Sequence, residues 1–290
     1  MPRNPVAHTA LGPMVLAAVE QHQPPGQRLV DDDLAATFLP APARWLTEAT
    51  RSAVLRKLFI AAMDRSGPGL WANLTCRKQF VADKLDDALD DIDAVVILGA
   101  GLDTRAYQLA RRTQIPVFEV DLAVNIARKS AAVRRVLGAL PRSVRLVAVD
   151  FERDDVLTAL AEYGYLTDYR VFFIWEGVTQ YLTEHAVRAT LDGLRPVAAG
   201  SRLVFTYVRR DFIEGRNLYG TPKLYRRTRQ RRQLWHFGLQ PEDVAGFLAG
   251  YSWRLIEQVG PEQLVHRYVQ PTGRNLTASQ IEWSAYAEKR

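Results

Sequence analysis

Three carboxylates and a glycine pair each follow a short apolar run in the middle of the chain. The four runs end, in order, at Gly99-Ala100-Gly101, Asp121, Asp150 and Glu176. In open α/β sheets, ligands bind in the crevice outside the carboxyl ends of the strands. Because each of these groups stands where a strand would meet a loop, the pattern predicts that all four line one binding pocket.

The glycine pair predicts a nucleoside-binding turn. Two glycines let the backbone turn tightly and approach a ligand closely, but Thr104 stands where a third glycine would complete a dinucleotide fingerprint. Asp121 follows at about the 20-residue spacing expected of a carboxylate that binds ribose hydroxyls. A nucleoside ligand without phosphates therefore fits better than NAD. The alternative for each carboxylate is that it caps the next helix.

Alternating strands and helices must position these groups. Five apolar runs, separated by segments with helical spacing, predict strands. They are 94–98, 116–120, 144–149, 171–175 and 202–208. This rhythm is typical of βαβ units and a parallel sheet, and near-continuous apolar strands indicate burial on both faces. Helical spacing also covers 28–65 and 70–90, whereas 253–258 and 264–270 predict a closing antiparallel pair.

The length of 290 residues suits one large domain with additions. We predict an N-terminal arm and helical cap at 1–90 and an α/β core at 91–208. An arginine-rich insertion follows at 209–250, and closing strands of the core lie in 251–290.

The composition excludes several classes of protein. The single cysteine, Cys76, excludes an internal disulfide and a thiolate metal cluster, and the five histidines show no metal-ligand spacing. No metal is expected. No apolar run approaches the roughly 20 residues needed to span a bilayer, and no charged region precedes an apolar core at the N-terminus. A cytoplasmic chain without a membrane partner is the expectation.

Longer motifs surround the strand ends. They read VVILGAGLDTR at 95–105, FEVD at 118–121, VDF at 149–151, WEG at 175–177 and YL at 181–182. In this order they resemble the leucine carboxyl methyltransferase family, and more closely its bacterial branch, whose members are often linked to secondary metabolism. An arginine in a helix ahead of the glycine turn, here Arg77, also fits the family. The resemblance covers residues 70–210 well and 1–60 only loosely.

The resemblance implies a doubly wound, mostly parallel sheet of seven strands, with N-terminal helices and an inserted helical lid. It also implies that the cofactor is S-adenosyl-L-methionine. In the adenosine half of the site, Asp121 would bind the ribose hydroxyls, and Asp150 with the backbone of Phe151 would address the adenine.

In the methionine half, the resemblance gives Arg77 the carboxylate of the cofactor and Glu176 its ammonium group. Gly99 and Gly101 would pass under the methionine portion. These roles are physically sensible, because an arginine can bind a carboxylate through two parallel hydrogen bonds and an ammonium group requires an acceptor.

Two neighbours of the glycine turn are charged, and a third charged residue stands one to two turns into the helix after Asp121. Asp103 and Arg105 are expected to pair locally or to stabilise the turn, whereas Lys129 is equally a solvated charge or a functional one. The family often carries an acidic or amide residue near the end of the fifth strand, where this chain reads Phe205-Thr206-Tyr207. Acceptor assignments are therefore not carried over.

The need for a catalytic base depends on the methyl acceptor. A carboxylic acid is already ionised at neutral pH, whereas a phenol with a pKa near 10 benefits from a base. The catalytic residues cannot be assigned from the sequence; Tyr181, Tyr207 and His236 are candidates. Aromatic faces suit the fading positive charge of a sulfonium, but core packing is the expected role of Trp175.

The segment 209–232 is strongly basic and is expected to cover the acceptor pocket. It contains two acidic residues and nine basic ones: Arg209, Arg210, Arg216, Lys223, Arg226, Arg227, Arg229, Arg231 and Arg232. It would attract an anionic or carrier-bound acceptor, or bind nucleic acid, or form a solvated helix.

The sequence therefore predicts an S-adenosyl-L-methionine-dependent O-methyltransferase that acts on a carboxylate or hydroxyl of a small molecule, such as a polyketide-like metabolite. One alternative is methylation of a protein C-terminal carboxylate or of RNA. An alternative of another class is a non-catalytic nucleoside-binding module with the same fold. The oligomeric state is not predicted.

Overall fold

The computed structural model describes residues 11–231 and 233–290. Its sheet has seven strands in the order β3-β2-β1-β4-β5-β7-β6, and all neighbours are parallel except those of β7. The strands are β1 (Ala94–Leu98), β2 (Val117–Asp121), β3 (Val144–Ala148), β4 (Val171–Trp175), β5 (Arg202–Val208), β6 (Trp253–Val259) and β7 (Glu282–Lys289). The doubly wound α/β fold and all five predicted parallel strands are confirmed.

The thirteen α-helices of the described residues connect and flank these strands. They are α1 (Leu11–Glu20), α2 (Ala35–Phe38), α3 (Ala41–Ala49), α4 (Ala53–Ser66), α5 (Leu70–Ala88), α6 (Arg105–Ala110), α7 (Ala123–Leu137), α8 (Val156–Ala161), α9 (Glu184–Gly193), α10 (Arg210–Ile213), α11 (Pro222–Tyr225), α12 (Val244–Ala249) and α13 (Pro261–Leu264). None of the described helices is long and apolar enough to cross a membrane.

The central strands are buried on both faces because they are apolar throughout. In β1, Val96 and Leu98 join a core cluster with α8, α9 and α12, whereas Val95 and Ile97 join the cluster under α1, α5 and α7. Cys76 lies in the second cluster, and burial raises the pKa of its thiol to about 12. It is therefore a small core residue, as expected.

The site lies where the strand order reverses. From β1 the chain proceeds to β2 and β3 on one side of the sheet, and later to β4 and β5 on the other. The helices that follow β1 and β4 therefore diverge and leave a crevice at the carboxyl ends of these two strands.

The predicted strand at 264–270 is wrong. This stretch continues α13 as a π-helix from Val265 to Val269, and the closing strand is β7, which inserts antiparallel between β5 and β6. Leu264, Val265, Tyr268 and Val269 recur at helical spacing and pack on the core under α5, so alternation was the wrong periodicity for this run.

Candidate active site at the carboxyl edge

The turn after β1 requires its glycines. Gly99 and Gly101 both have left-handed backbones, with φ of 77° and 45°. A Cβ added to Gly99 would lie 2.3 Å from Cγ2 of Val178, far inside contact distance. The amides of Gly99 and Ala100 both donate to the carbonyl of Val120, which ties the turn to β2. The turn can therefore bring its backbone close to a ligand, as the sequence predicts.

Asp121 holds the other side of this turn. Its Oδ2 accepts the Gly101 amide at 2.6 Å, and its Oδ1 accepts the Leu122 amide at 2.7 Å and the Asn125 side-chain amide at 2.8 Å. It does not cap α7 in the usual way, because the residue at the N-cap is Leu122. A carboxylate accepts about four hydrogen bonds, so this buried group retains capacity for a ligand hydroxyl.

Arg77 and Glu176 are in direct contact. The Nε of Arg77, on α5, lies 2.9 Å from Oε1 of Glu176, which follows β4. The same guanidinium binds both carboxylate oxygens of Glu282, the first residue of β7. Gly177, with φ of 69°, leaves the space for this arginine, since a Cβ there would lie 2.7 Å from its Nη2.

Arg105 is a second cation on Glu176. Its Nη2 lies 2.5 Å from Oε2 of Glu176, and its Nη1 lies 2.5 Å from Oδ2 of Asp103. The predicted local pair of Asp103 and Arg105 is thus confirmed, but Arg105 does more than stabilise the turn. Arg77 and Arg105 together hold the Glu176 carboxylate between two guanidiniums.

The contacts continue to the N-terminal part of the chain. Lys78 lies 3.2 Å from Asp32 and 3.7 Å from Asp103. Asp32 is fully buried and also accepts the Thr104 hydroxyl at 2.6 Å and the Gln108 amide at 3.1 Å. Asp32 therefore fastens the segment before α2 to the helix that follows the glycine turn.

These side chains form one mostly buried charge cluster. Its members are Asp32, Arg77, Lys78, Asp103, Arg105, Glu176 and Glu282. With every member ionised, it holds three cations and four carboxylates, so its net charge is −1. Asp103 and Glu176 are its least buried members and are the ones that a ligand in the crevice reaches first.

Burial and pairing oppose each other in this charge cluster. Desolvation alone would raise the pKa of Glu176, but the guanidiniums of Arg105 and Arg77 outweigh it and hold the pKa below its usual range. In the same way, Arg105 and Lys78 overcome the desolvation of Asp103 and lower its pKa. Both carboxylates are therefore anionic at neutral pH and available to a cationic group.

Asp150 and Phe151 lie apart from the charge cluster. Asp150, just after β3, is half-exposed, and its Oδ1 accepts the amide of Glu152 at 3.1 Å. Phe151 is buried, with its ring 6.3 Å from that of Trp175. Both stand at the carboxyl edge beyond Asp121, where the adenine prediction requires them, and their contact with a ligand stays a prediction.

Lys129 is not a solvated charge. It is buried, pairs with the buried Glu119 of β2 and donates to the carbonyl of Ala100 at 3.2 Å. The Tyr107 hydroxyl donates to the same glutamate at 2.5 Å. The buried pair of Lys129 and Glu119 therefore stabilises the glycine turn through the hydrogen bond to Ala100.

The acceptor candidates differ in their surroundings. Tyr207 is fully buried in the core, and burial strongly raises the pKa of its hydroxyl, which makes it a poor base. Tyr181 is partly buried edge-on against Trp235, at 6.4 Å between ring centroids. His236 is exposed, and its amide donates to the carbonyl of Gln180 at 2.7 Å. Trp175 packs in the core, as expected.

The end of β5 has a structural role. The hydroxyl of Thr206 accepts the Gly177 amide at 2.8 Å, and its carbonyl accepts the Thr179 hydroxyl at 2.6 Å. Thr206 therefore connects β5 to the loop that follows Glu176. The side chain at this position thus has a structural contact of its own, through the Thr206 hydroxyl.

The basic segment has one anchored arginine and several exposed ones. Arg229 donates from Nε to the carbonyl of Ile213 at 3.0 Å and from Nη1 to the carbonyl of Trp235. Within the described residues, four exposed cations have no carboxylate partner: Lys223, Arg226, Arg227 and Arg231. Arg232 lies outside the described residues. The segment leads into Trp235 and His236, which contact Tyr181 and Gln180 of the loop that follows Glu176.

Glu282 and Asp32 were not predicted as site residues. The alternation of 281–287 would have signalled a closing strand, and an antiparallel strand there places Glu282 at the carboxyl edge. Asp32 stands in a run of three aspartates that looks like a solvated surface. Within residues 11–231 and 233–290, no group of three or more His, Cys, Asp or Glu side chains could hold a metal ion.

Comparisons with known proteins agree with this geometry. A protein of Streptomyces coelicolor, provisionally named an S-adenosyl-L-methionine-dependent methyltransferase, is 29% identical over 84% of this chain and 82% of its own length. A relative of the same name from Mycobacterium avium is 33% identical over 63% of this chain and 62% of its own.

Solved structures share the fold at low identity. A Thermobifida fusca protein provisionally described as a methyltransferase superposes with a TM-score of 0.60 at 14% identity, covering 100% of this chain and 99% of its own. A DUF574 family protein from Streptomyces avermitilis gives 0.55 at 15% identity, covering 81% and 91%. The model of the leucine carboxyl methyltransferase family matches residues 10–195. Because this match spans more than half of the chain, the chain belongs to the leucine carboxyl methyltransferase family.

Proposed function

We propose that this family member is an S-adenosyl-L-methionine-dependent O-methyltransferase whose acceptor is a carboxylate or hydroxyl of a small, anionic molecule. The chain is a methyltransferase by its family, and its curated relatives carry the name of S-adenosyl-L-methionine-dependent enzymes. The oxygen acceptor and its small size are the proposal.

The residues of the crevice fit this cofactor chemically. Its amino-acid end is a zwitterion, and Arg77 beside Glu176 offers one partner for the carboxylate and one for the ammonium group. Asp121, beside the glycine turn, offers acceptors for ribose hydroxyls. A cofactor with a net charge of +1 is matched by a charge cluster whose net charge is −1.

When bound, the cofactor supplies an electrophilic methyl group on a sulfonium. The chain contributes binding and alignment. Arg77 exchanges part of its internal pairing for the ligand carboxylate, and Arg105 keeps Glu176 charge-compensated while that glutamate takes the ammonium group. Alignment of the acceptor with the methyl group is what accelerates an in-line displacement.

The acceptor side favours an anion. The basic segment ends at the loop after Glu176, and its exposed cations would raise the local concentration of a negatively charged acceptor. Of the three candidate bases, Tyr207 is buried with a raised pKa, Tyr181 packs edge-on against Trp235 and His236 is exposed. A carboxylate acceptor needs no base, because it is ionised at neutral pH.

The contact of Arg77 with Glu176 beside the glycine turn carries this proposal. The first test is calorimetric titration with S-adenosylhomocysteine, with NAD as the control. Saturable binding of the former alone is expected. Screening of carboxylates and phenols with labelled donor then tests the acceptor. Formation of a methyl ester or a methyl ether supports the proposal, whereas transfer to nitrogen would contradict it. Binding without any transfer would instead favour a nucleoside-binding module.

The exposed cations Arg226, Arg227 and Arg231 also leave RNA as a second candidate acceptor. Binding to RNA through phosphate contacts weakens steeply with salt. Labelled transfer to RNA that falls as salt rises would favour this second function. Transfer to small acids that depends only weakly on salt would favour the first.

A further inference from the structure

The surface of α3 and α4 is unusually apolar. Five of the ten exposed large hydrophobic side chains in the described part of the chain lie here, within 14 residues: Trp45, Leu46, Val54, Leu55 and Leu58. Trp45 is 77% exposed, although no other described tryptophan is strongly exposed. We call these five residues the apolar cap face.

Helix α4 is apolar on two opposite sides. Phe59, Ile60 and Met63 pack inward against the core cluster under α5, and no residue of α4 is fully buried. Val54 and Leu58 lie one turn apart on the opposite side, which faces solvent. Contiguous exposed apolar patches on a protein surface mark sites of contact with other proteins or with membranes. The outer side of α4 is therefore a candidate contact surface.

The charges around the apolar cap face are mainly positive. Residues 41–66 contain five basic side chains and two acidic ones. Glu48 pairs with Arg51, and Asp64 accepts the amide of Gly69 at 2.9 Å. No carboxylate lies within salt-bridge distance of Arg44 or Lys57 among the described residues. A second copy would bring these cations together across a two-fold axis, so the charge pattern disfavours self-association here.

We propose that the apolar cap face docks on an anionic lipid bilayer. An exposed tryptophan, leucines on a surface helix and flanking cations are what the interfacial region of such a bilayer binds. The contact lies on the surface and involves no spanning helix, in agreement with the helices of the described chain. It departs from the expectation of no membrane partner, which rested on the lack of a spanning run. It is also independent of the proposed acceptor.

Helix α4 is connected to the strand that carries part of the charge cluster. The helix ends at Ser66. Three residues later, the carbonyl of Gly69 accepts the amide of Ser279 at 3.0 Å, and Ser279 lies just before the start of β7. Glu282, which binds Arg77, begins that strand. The apolar cap face is therefore attached at the edge of the sheet that carries the charge cluster. Docking would hold that edge near the lipid surface, where apolar acids partition.

Co-sedimentation of the full chain with vesicles tests the proposal. Vesicles of equal parts phosphatidylcholine and phosphatidylglycerol are expected to bind the protein, and pure phosphatidylcholine is expected to bind it at least about fivefold more weakly. The double variant Leu55→Asp/Leu58→Asp should lower binding to the mixed vesicles by about tenfold or more. The tryptophan emission of the protein should shift to the blue on binding, because Trp45 enters the bilayer interface. Trp45→Phe should remove this shift.

Matched variants control for folding and for general charge. Leu166 and Ile256 are 51% and 44% exposed, close to the 48% of Leu55 and 61% of Leu58, but lie far along the chain. Leu166→Asp/Ile256→Asp should bind vesicles like the wild type. Arg226→Glu/Arg227→Glu, in the basic segment, should lower binding less than Arg44→Glu/Lys57→Glu does.

Three results would overturn the proposal. The first is no binding of the wild type to the mixed vesicles. The second is equal binding by Leu55→Asp/Leu58→Asp, or a larger loss in Arg226→Glu/Arg227→Glu, which would move the contact to the basic segment. The third is a dimer in sedimentation equilibrium that Leu55→Asp/Leu58→Asp dissociates, with no vesicle binding, because a second copy would then cover the face.

Discussion

The cofactor side and the acceptor side of the crevice are built in different ways. On the cofactor side, Arg77, Arg105 and Glu176 are packed into a largely buried charge cluster with internal partners for every member. On the acceptor side, Arg226 and Arg227 extend into solvent from a short helical segment. The first arrangement is preorganised for one ligand, whereas the second attracts anions without fixing their identity.

The largest effect expected on this comparison comes from Asp121. Asp121→Ala removes the acceptor for the Gly101 amide and for a ribose hydroxyl, and hydrogen bonds to charged groups contribute about 1.5–3 kcal/mol each. Calorimetry should show S-adenosylhomocysteine binding weakened by about 100-fold. His236→Ala, on the exposed side, should change it by less than twofold. Equally small effects would remove Asp121 from the cofactor site.

Gly99→Ala tests whether the turn is sterically required. The strained φ and the contact with Val178 should together destabilise the protein by about 2–4 kcal/mol. Gly138 is the matched control, because its φ of 79° is equally unfavourable but nothing lies within 4 Å of an added Cβ. Urea unfolding should show a smaller loss in Gly138→Ala. Equal losses would mean that Val178 simply moves aside.

Glu282→Gln separates structure from binding on the cofactor side. The amide keeps the shape but removes the charge that faces Arg77, so thermal unfolding should show a loss of about 2–3 kcal/mol. Affinity for S-adenosylhomocysteine should change by less than about threefold, because Glu176 still holds the arginine. A loss of affinity much greater than this would give Glu282 a direct part in the cofactor site.

Arg229→Ala tests the internal order of the basic segment. Loss of its contacts to Ile213 and Trp235 should open the segment to limited proteolysis and cost about 1–2 kcal/mol. Arg226→Ala, with no described partner, should have almost no effect on proteolysis. Both variants should keep their affinity for S-adenosylhomocysteine. A loss in Arg229→Ala would place the segment in the cofactor site.

The smallest expected effect concerns pH. The pKa of Glu176 is held below its usual range by Arg105 and Arg77, although burial alone would raise it. A depressed carboxyl pKa stabilises the folded state above the unfolded value, near 4.3, and this contribution is lost as the pH falls through the folded value. Cofactor affinity should therefore stay constant between about pH 6 and 8. A step in that range would mean that Glu176 titrates there.

The strand ends were predictable because parallel strands leave a strong sequence signal. Apolar runs that end in Gly99, Asp121 and Glu176 place those residues at one edge in any right-handed βαβ arrangement. Asp32 was not predictable, because it lies far away in sequence, in a run of three aspartates that looks like a solvated surface. Glu282 was missed because the alternation of 281–287 was not read as a closing strand. The strand at 264–270 was mispredicted because a short apolar run fits two periodicities.

The sequence carries less information about the acceptor side. The basic residues of 209–231 were recognisable as a group, but anchored Arg229 and exposed Arg226 look the same in a sequence. Their difference depends on which backbone carbonyls the fold brings near, and that is decided by tertiary packing. The same holds for Lys129. Its position in α7 gave no sign that it would be buried against Glu119.

The central claim is that the Arg77–Glu176 pair binds the amino-acid end of the cofactor. Calorimetry on the wild type and Arg77→Ala, each with S-adenosylhomocysteine and with 5′-methylthioadenosine, tests it most directly, because the second ligand lacks that end. The wild type should bind S-adenosylhomocysteine at least about 100-fold more tightly than it binds 5′-methylthioadenosine. Arg77→Ala should lose most of this preference while still binding 5′-methylthioadenosine. An equal preference in both proteins would contradict the assignment.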